Sequence, residues 1–420
     1  MKKYICSERA DLFEPNIYIH FRVQLIGNPK PKQVAAAVNA AFAANEATMS
    51  KIVLLQTGEA YYDRQQESGC RVELTEADWL EVLRQNEKLP FAINKGELMR
   101  VFILTSGERL GLLIMAHHLV GDGKSITYFL EDVMRALAGE SLTFKPMKLI
   151  TRDSLPKGSR LSLPEKLYAN YYNWKWKRID QVFRWEDYEA IHKDYWEKHS
   201  TYIAYEYFST EEINRIHAHT KEIGVSINSY IAGAFLEAER KKDAIVGMAV
   251  DARTDGNKSM SNQATGTSVV HSFNDEVSFD ENVRLLHQKI LDKLAKPKKK
   301  FFVLHFISLL RPCLIDSVLL HTYGLYQNVT TQKLARAMGY LGAKKRDLGI
   351  TNLTRLDIPG SYGKYGIRNL MFIPPVVAYS SHIIGVATME DGMCISYHFM
   401  EEQEKEREFF RRAIHTLKAN

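Results

Sequence analysis

Short segments in which apolar residues run together or alternate with polar ones predict β-strands along the whole chain. The strongest segments cover 17–26, 98–105 and 109–117, where β-branched and aromatic residues are frequent. Ser106-Gly-Glu108 joins the last two as a hairpin-type connection. Further strands are predicted near 51–57, 70–74, 201–208, 244–250, 366–373, 379–388 and 393–398.

Apolar residues spaced three or four apart predict amphipathic helices between these strands. Pro31 opens an alanine-rich helix that ends near Asn45, and Lys124–Ala138 is apolar along one face. Other helices are predicted over 76–88, from Thr210 as N-cap, over 227–241 and 282–294, and from about Glu401. The similar order of strands and helices in both halves predicts an α/β fold, an α+β sandwich of two related lobes.

The 420 residues are too many for one compact core and fit two domains. The region around 151–165 is rich in Pro, Gly, Ser and Lys and shows no period, which is typical of a linker. The sequence therefore predicts a first lobe over 1–150, a linker over 151–165 and a second lobe over 166–420. Aromatic residues cluster just after the linker, and we assign them to packing: Tyr168, Tyr171, Tyr172, Trp174 and Trp176.

Composition excludes several classes of protein. With 45% apolar and 25% charged residues, the chain matches an ordinary globular protein. The net charge of +6 is concentrated at places such as 296–300 and 344–346, which fits either a solvated surface or a docking patch for a phosphorylated or acidic partner. No pattern typical of nucleic-acid binding accompanies it.

The cysteines and the apolar runs indicate the cellular compartment in which the chain is expected. The four cysteines have no paired spacing, so neither a disulfide framework nor a zinc site is indicated, and a reducing cytoplasm is expected. Charges interrupt the N-terminal segment too early for a signal peptide. The run Phe301–Leu320 contains Arg311, Pro312 and Asp316, which predicts packed helices rather than a membrane span.

The most specific segment follows the strand predicted over 109–117. It reads His117-His118-Leu-Val-Gly-Asp122-Gly123, which is the pattern HHxxxDG. Strand alternation sends the two histidines to opposite faces, so only one of them can face a given channel. Histidine titrates near neutrality and can take a proton from a hydroxyl or amine. The segment is therefore a candidate active site.

Other interpretations of this segment stay open at the level of the residues alone. The histidines could be hydrogen-bonded core residues, or the pattern could occur by chance. His118 and Asp122 are four residues apart, but a metal site at that spacing needs a helix, and the preceding run predicts a strand. The sequence thus predicts no metal.

The motif and its surroundings resemble the CoA-dependent acyltransferase superfamily typified by chloramphenicol acetyltransferase, which includes condensation domains and alcohol acetyltransferases. The strand pair that begins with Gly96–Leu104 is similar to the lead-in of condensation-like members. The strand Ile245–Arg253 is similar to the second-lobe strand that ends in arginine. The resemblance covers essentially the whole chain and implies two lobes with an active-site tunnel between them.

The resemblance also implies a role for each site residue. His118 would be the general base, and His117 a buried neighbour. Asp122 would form a structural salt bridge, for which Arg253 is preferred over Arg100. The helix that starts beside Gly123 would supply oxyanion donors. Thr351, in Thr351-Asn-Leu-Thr354, is the candidate hydroxyl, because the segment resembles one in the alcohol acetyltransferase branch.

The expected activity is acyl transfer from a thioester to a small hydroxyl or amine acceptor, without a covalent enzyme intermediate. No permanently bound cofactor is expected, and acyl-CoA is the preferred co-substrate. An acyl-carrier protein is the alternative donor, and a catalytically silent partner-binding module is the alternative from another class. We further expect a cytoplasmic monomer of secondary metabolism that binds no nucleic acid.

Overall fold

The computed structural model describes residues 2–253, 256–400 and 403–419. The strands of these residues are β1 (Lys3–Tyr4), β2 (Tyr18–Ile26), β3 (Ser50–Leu54), β4 (Ala60–Arg64), β5 (Arg71–Thr75), β6 (Met99–Leu104), β7 (Gly111–His117), β8 (Thr201–Phe208), β9 (Ala244–Asp251), β10 (Ala264–His271), β11 (Arg346–Arg355), β12 (Ser361–Tyr362), β13 (Tyr365–Ile373), β14 (Ser380–Met389) and β15 (Gly392–Met400).

The helices lie between and around these strands. They are α1 (Pro31–Ala44), α2 (Trp79–Glu87), α3 (Gly123–Leu137), α4 (Leu163–Ile179), α5 (Trp185–Lys198), α6 (Thr210–Glu222), α7 (Ile227–Glu239), α8 (Phe279–Leu294), α9 (Pro297–Lys300), α10 (Phe302–Ile307), α11 (Pro312–Thr322), α12 (Val329–Met338) and α13 (Glu404–Ala419). None of the described helices is both long and apolar enough to cross a membrane.

Two six-stranded sheets organise the molecule. The first has the order β12-β13-β2-β7-β6-β5 and the second β10-β9-β11-β14-β15-β8, while β1, β4 and β3 form a small separate sheet. All seven residues of β7 are buried, so both faces of this strand are covered. The predicted α/β architecture of two lobes is confirmed.

The first sheet contains strands from beyond the predicted lobe boundary. β13 comes late in the chain, yet it pairs antiparallel with β2 of the first sheet, with Gly366 opposite Ile26 and Ile373 opposite His20. The helix α4 begins at Leu163, inside the last three residues of the predicted linker. The boundaries 1–150, 151–165 and 166–420 stay a prediction about domains, but the first sheet draws strands from both sides of them.

Several local predictions need correction. Ser209, not Thr210, caps α6: its hydroxyl accepts a hydrogen bond from the amide of Glu212 at 3.2 Å, and Thr210 is the first helical residue. The predicted start of the last helix at Glu401 lies outside the described residues. β4, β10 and β11 were not predicted, because their polar positions break the apolar alternation.

The aromatic cluster after the linker divides into two groups on α4. Tyr172 and Trp176 are buried, as the packing assignment predicts. Tyr171 and Trp174 are exposed, so for them that assignment is wrong. Tyr168 is also exposed in part, but its ring packs on those of Tyr172 and Phe306. The helix has apolar residues on two opposite faces, and only one of these faces packs on the protein.

Candidate active site

The buried strand β7 brings both histidines of the motif to the boundary between the sheets. It ends at His117, and a 3₁₀ turn from His118 to Val120 follows before α3 begins. The change from strand to turn gives the two rings different environments. His117 is fully buried, and His118 reaches a cavity.

His117 is a neutral packing residue. Its Nδ1 accepts a hydrogen bond from the amide of Leu119 at 3.2 Å, so that nitrogen carries no proton. The ring lies 5.9 Å from the ring of Tyr18 and 6.0 Å from that of Phe91, measured between centroids. Burial, together with the nearby His192, His118 and Arg100, holds the pKa of His117 well below its ordinary value.

His118 lies in the wall of a cavity of about 300 Å³ that both halves of the chain line. The first half contributes Asp11, Glu14 and Gly123, and the second contributes strands β9, β10, β11 and β14. The volume is at the lower end of the range for small-molecule sites. The cavity therefore fits the tunnel that the resemblance implies.

A carboxylate that the sequence analysis did not find faces His118. Asp11 Oδ2 lies 3.9 Å from His118 Nδ1, and Asn262 donates a hydrogen bond to the same oxygen at 2.8 Å. The His118 Nδ1 atom is buried and has no hydrogen-bond partner, since 3.9 Å is too long for one. Burial raises the pKa of Asp11, although the charge of His118 and the Asn262 bond act in the opposite direction.

Glu14 lies three residues after Asp11, beyond the end of the 3₁₀ turn Arg9–Asp11, and also lines the cavity. Tyr323 donates a hydrogen bond to its Oε1, while Oε2 is buried without a partner. Burial, assisted by the charge of Asp11, raises the pKa of Glu14 to about 8. We call His118, Asp11 and Glu14 the base pocket.

Asp122 makes its contacts away from His118. Its two oxygens accept one hydrogen bond each, both at 2.9 Å, from the two terminal nitrogens of Arg253. They also accept hydrogen bonds from the backbone amides of Ser125 and Gln263, again at 2.9 Å. Arg253 is the partner preferred from the sequence, whereas Arg100 binds Glu97. We call the Asp122–Arg253 pair the lobe clamp, since it ties the start of α3 to the end of β9.

Gly123 and Thr351 complete the sequence-predicted set. A Cβ at Gly123 would lie 2.6 Å from Leu353 Cδ2, so the start of α3 and strand β11 approach closely here. Thr351, on β11, lines the same cavity as His118. The chain thus brings all of its predicted site residues to one region, with His117 behind it and the lobe clamp beside it.

Arg346 is a further cation in the cavity, and it belongs to the basic run 344–346 that the sequence analysis gave as either a solvated surface or a docking patch. Its guanidinium lies 5.1 Å from the ring of Tyr379. Gly247 and Gly266 make room for it, because a Cβ at either position would lie 3.0 Å or less from an Arg346 side-chain atom. Among the described carboxylates, none forms an ion pair with Arg346. It is therefore available to an anionic group of a ligand.

A buried group of three side chains outside the cavity has ligand atoms close enough for a metal ion: His20, Glu87 and His398. Glu87 Oε1 lies 2.9 Å from Nε2 of His20 and 3.2 Å from Nε2 of His398. Tetrahedral zinc ligands would be separated by about 3.3 Å, so the 2.9 Å contact is typical of a hydrogen bond. We call this group the His–Glu–His knot and interpret it as an ion pair between the sheets.

The hydrogen bonds of His398 and the pKa of Glu87 describe the charge of this group. His398 Nδ1 lies 2.9 Å from the carbonyl of Pro374, so it must donate there. Its Nε2 is then the ring nitrogen that faces Glu87 Oε1, at 3.2 Å. Burial alone would raise the pKa of Glu87, but the charge of His398 and hydrogen bonds from both histidines outweigh it and hold that pKa below its ordinary value.

Comparison with solved structures identifies the fold. No protein-family model and no curated protein matches the sequence. The first condensation domain of the calcium-dependent antibiotic synthetase, solved with a substrate analogue, is similar in structure, with a TM-score of 0.67 and 14% identity over 100% of this chain and 97% of that one. The chain has the condensation-domain fold.

Two further solved structures have a comparable likeness. TRI3 trichothecene 15-O-acetyltransferase from Fusarium sporotrichioides has a TM-score of 0.65 and 12% identity, over 99% of this chain and 95% of that one. Polyketide synthase associated protein 5 from Mycobacterium tuberculosis has a TM-score of 0.62 and 11% identity, over the full length of both chains. The condensation-domain fold of this chain therefore extends over its whole length.

Proposed function

We propose that the chain is an acyltransferase that moves an acyl group from a thioester, preferably acyl-CoA, to a hydroxyl or amine. The observation that carries the proposal is the position of His118: it opens on the cavity between the lobes, while the lobe clamp occupies the neighbouring Asp122. An imidazole that is free to exchange protons beside a small-molecule cavity has the chemistry of a general base. The similarity of fold to an acetyltransferase supports this assignment.

The transfer proceeds by direct attack on the donor. His118 takes the proton from the acceptor hydroxyl or amine as its oxygen or nitrogen forms a bond to the thioester carbon. The tetrahedral intermediate then collapses, the carbon–sulfur bond breaks, and the proton passes from the imidazolium to the leaving thiolate. Asp11, 3.9 Å from Nδ1, supplies a countercharge while the imidazolium exists.

The oxyanion of the intermediate needs hydrogen-bond donors. Thr351 is the first candidate donor, because it lines the same cavity as His118. The first turn of α3, which begins at Gly123, is the second candidate, since amides at a helix N-terminus favour negative charge. The Ser125 amide already donates a hydrogen bond to the Asp122 carboxylate. Within this first turn, only the amides before Ser125 are therefore left to bind an oxyanion.

An anionic donor suits the cations of the cavity. Arg346 and Lys344 both line it, and Arg346 has no carboxylate partner among the described residues. Acyl-CoA and an acyl-carrier protein both carry phosphate, so both remain candidate donors. The four cysteines are free thiols, which supports a reducing compartment such as the cytoplasm.

The test is thiol release from a panel of acyl-CoAs and acyl-carrier proteins, with small alcohols and amines as acceptors. We expect His118→Ala to lower the rate constant of transfer by about a thousandfold or more. His217→Ala, which removes an exposed histidine on α6, is the matched control and should leave the rate unchanged.

Three outcomes separate the alternatives. Release from acyl-CoA supports the proposal, and release from carrier proteins alone assigns the donor to that class. No release from any donor, with a folded protein, favours a silent partner-binding module. Equal rates for the wild type and His118→Ala would show that the mechanism is wrong.

A further inference from the structure

The helix α4 presents a second apolar face to solvent. Its buried face carries Ala169, Tyr172 and Trp176. The opposite face carries four large apolar side chains that are between 48% and 69% exposed: Leu163, Leu167, Tyr171 and Trp174. At about 100° per residue these four fall within an arc of about 80°. We call them the α4 stripe.

Basic side chains accompany the α4 stripe. The Arg178 guanidinium lies 3.8 Å from the ring centroid of Trp174, and the Lys175 ammonium lies 4.8 Å from that of Tyr171. Lys166 and Lys177 are exposed on the same helix. Glu165 is its one acidic residue, and Lys298 of α9 pairs with it at 2.9 Å. The exposed surface of α4 is therefore apolar and positively charged.

The α4 stripe lies outside a wall of the cavity. The ring of Tyr168 lies 6.2 Å from that of Phe306 on α10, and Asn173 donates to the carbonyl of Leu309 at 2.7 Å. Val303 and Ile307, also on α10, line the cavity. One layer of helix thus separates the α4 stripe from the site of His118.

We propose that α4 is an interfacial helix that docks the protein on the surface of an anionic phospholipid bilayer. Helices that lie in the plane of a membrane surface combine leucine and aromatic residues on one side with lysine and arginine. Aromatic rings of this kind are enriched at the membrane–water interface, and long basic side chains keep their charges in the headgroup layer. Each basic residue near an anionic surface adds about 1 kcal/mol of attraction.

Charge complementarity favours an anionic bilayer as the partner of α4. Four basic residues stand on α4 against one acidic residue, which is itself paired, so the surface attracts anions. Docking here would place the cavity behind α4 and α10 at the bilayer surface, where poorly water-soluble thioesters or alcohols partition. Only this use of the surface, and not the docking itself, rests on the proposed acyl transfer.

The experiment is co-sedimentation of the full chain with vesicles of phosphatidylcholine alone, or with about one third phosphatidylglycerol. We expect the wild type to bind the anionic vesicles about tenfold more strongly than the neutral ones. Leu167→Asp with Trp174→Asp should lower binding to anionic vesicles by about tenfold or more. Leu285→Asp with Leu291→Asp on α8, where both leucines are 46% exposed, is the matched control and should bind as the wild type does.

A second pair of substitutions controls for misfolding. Lys166→Glu with Lys177→Glu changes only exposed charges and should weaken binding to anionic vesicles about as much. His118→Ala should bind like the wild type, so the result does not depend on transfer activity. The proposal is overturned if the wild type stays in the supernatant with anionic vesicles, or if neither α4 pair weakens binding.

Discussion

Two groups of charge lie side by side at the lobe boundary, and their hydrogen bonding differs. In the lobe clamp, each oxygen of Asp122 accepts an Arg253 nitrogen and a backbone amide, all at 2.9 Å. In the base pocket, His118 Nδ1 and Glu14 Oε2 have no partner. Both groups are largely buried, so solvent does not explain the difference.

The difference separates a structural role from a chemical one. Both oxygens of Asp122 have a charged and a backbone donor, although Nε of Arg253 is buried without a partner. A buried ion pair of this kind is strongly destabilised when one partner is removed. A buried group left without a partner lowers stability, so each one needs an explanation, and a place in the wall of a cavity supplies one for His118 and Glu14. On this account the aspartate of the motif holds the lobes together, and the histidine beside it reacts. The predictions below are arranged from the largest expected effect to the smallest.

Removing the arginine of the lobe clamp should have the largest effect on stability. Arg253→Met leaves Asp122 buried without its countercharge, and we expect the unfolding free energy to fall by about 3–5 kcal/mol. Urea denaturation measures this. Arg135→Met, which removes an exposed arginine paired with Glu140, is the control and should cost less than about 1 kcal/mol. Equal losses for the two variants would contradict the structural role of the clamp.

The His–Glu–His knot offers a second paired charge between the sheets. Glu87→Gln should lower the unfolding free energy by about 3 kcal/mol at pH 7, because the two buried histidines lose the carboxylate that they both face. The pKa of Glu87 is lower in the folded chain than in the unfolded one. Its contribution is therefore present above the ordinary value of about 4.3 and is lost as the pH falls through the folded value.

The pH dependence of that variant is the readout. Unfolding of the wild type should become easier with acidification, while the dependence of Glu87→Gln is shallower below about pH 4. Parallel curves for the two proteins would show that Glu87 is not ionised in the fold.

Glu14 should behave in the opposite way. Its pKa is raised to about 8, so the carboxyl favours folding below about pH 4.3 and that contribution is lost as the pH rises from there to 8. Glu14→Gln keeps the hydrogen bond from Tyr323 and removes the charge. We expect roughly 4–5 kcal/mol more stability than the wild type at pH 8, and no difference at pH 4. A loss of stability at pH 8 would mean that Glu14 is a satisfied charge like Asp122.

Asp11 should matter for the reaction more than for folding. Asp11→Asn removes the countercharge of the imidazolium, and we expect kcat to fall about tenfold with little change in KM. The urea midpoint should stay close to that of the wild type. Asp275→Asn, on an exposed loop, is the control with no expected effect on either quantity. A lower urea midpoint with normal kcat would assign Asp11 to the structural group.

The sequence predicts the two groups unequally. The family resemblance carried by HHxxxDG and by the segment Ile245–Arg253 locates the lobe clamp and His118, because both stretches are local in the sequence. In the structure, Arg253 lies two residues after the end of β9. Asp11 and Glu14 lie in an N-terminal segment without period, and only the fold brings them to His118. The pairing of β13 with β2 is likewise a long-range choice that no local pattern encodes.

The central claim is that His118 is the base of a thioester-dependent acyl transfer. The most direct test measures thiol release and urea denaturation on the same preparations of wild type and His118→Ala. We predict a loss of transfer of about a thousandfold or more, with a change in unfolding free energy of less than about 1 kcal/mol. Transfer that persists at the wild-type rate in folded His118→Ala would contradict the account.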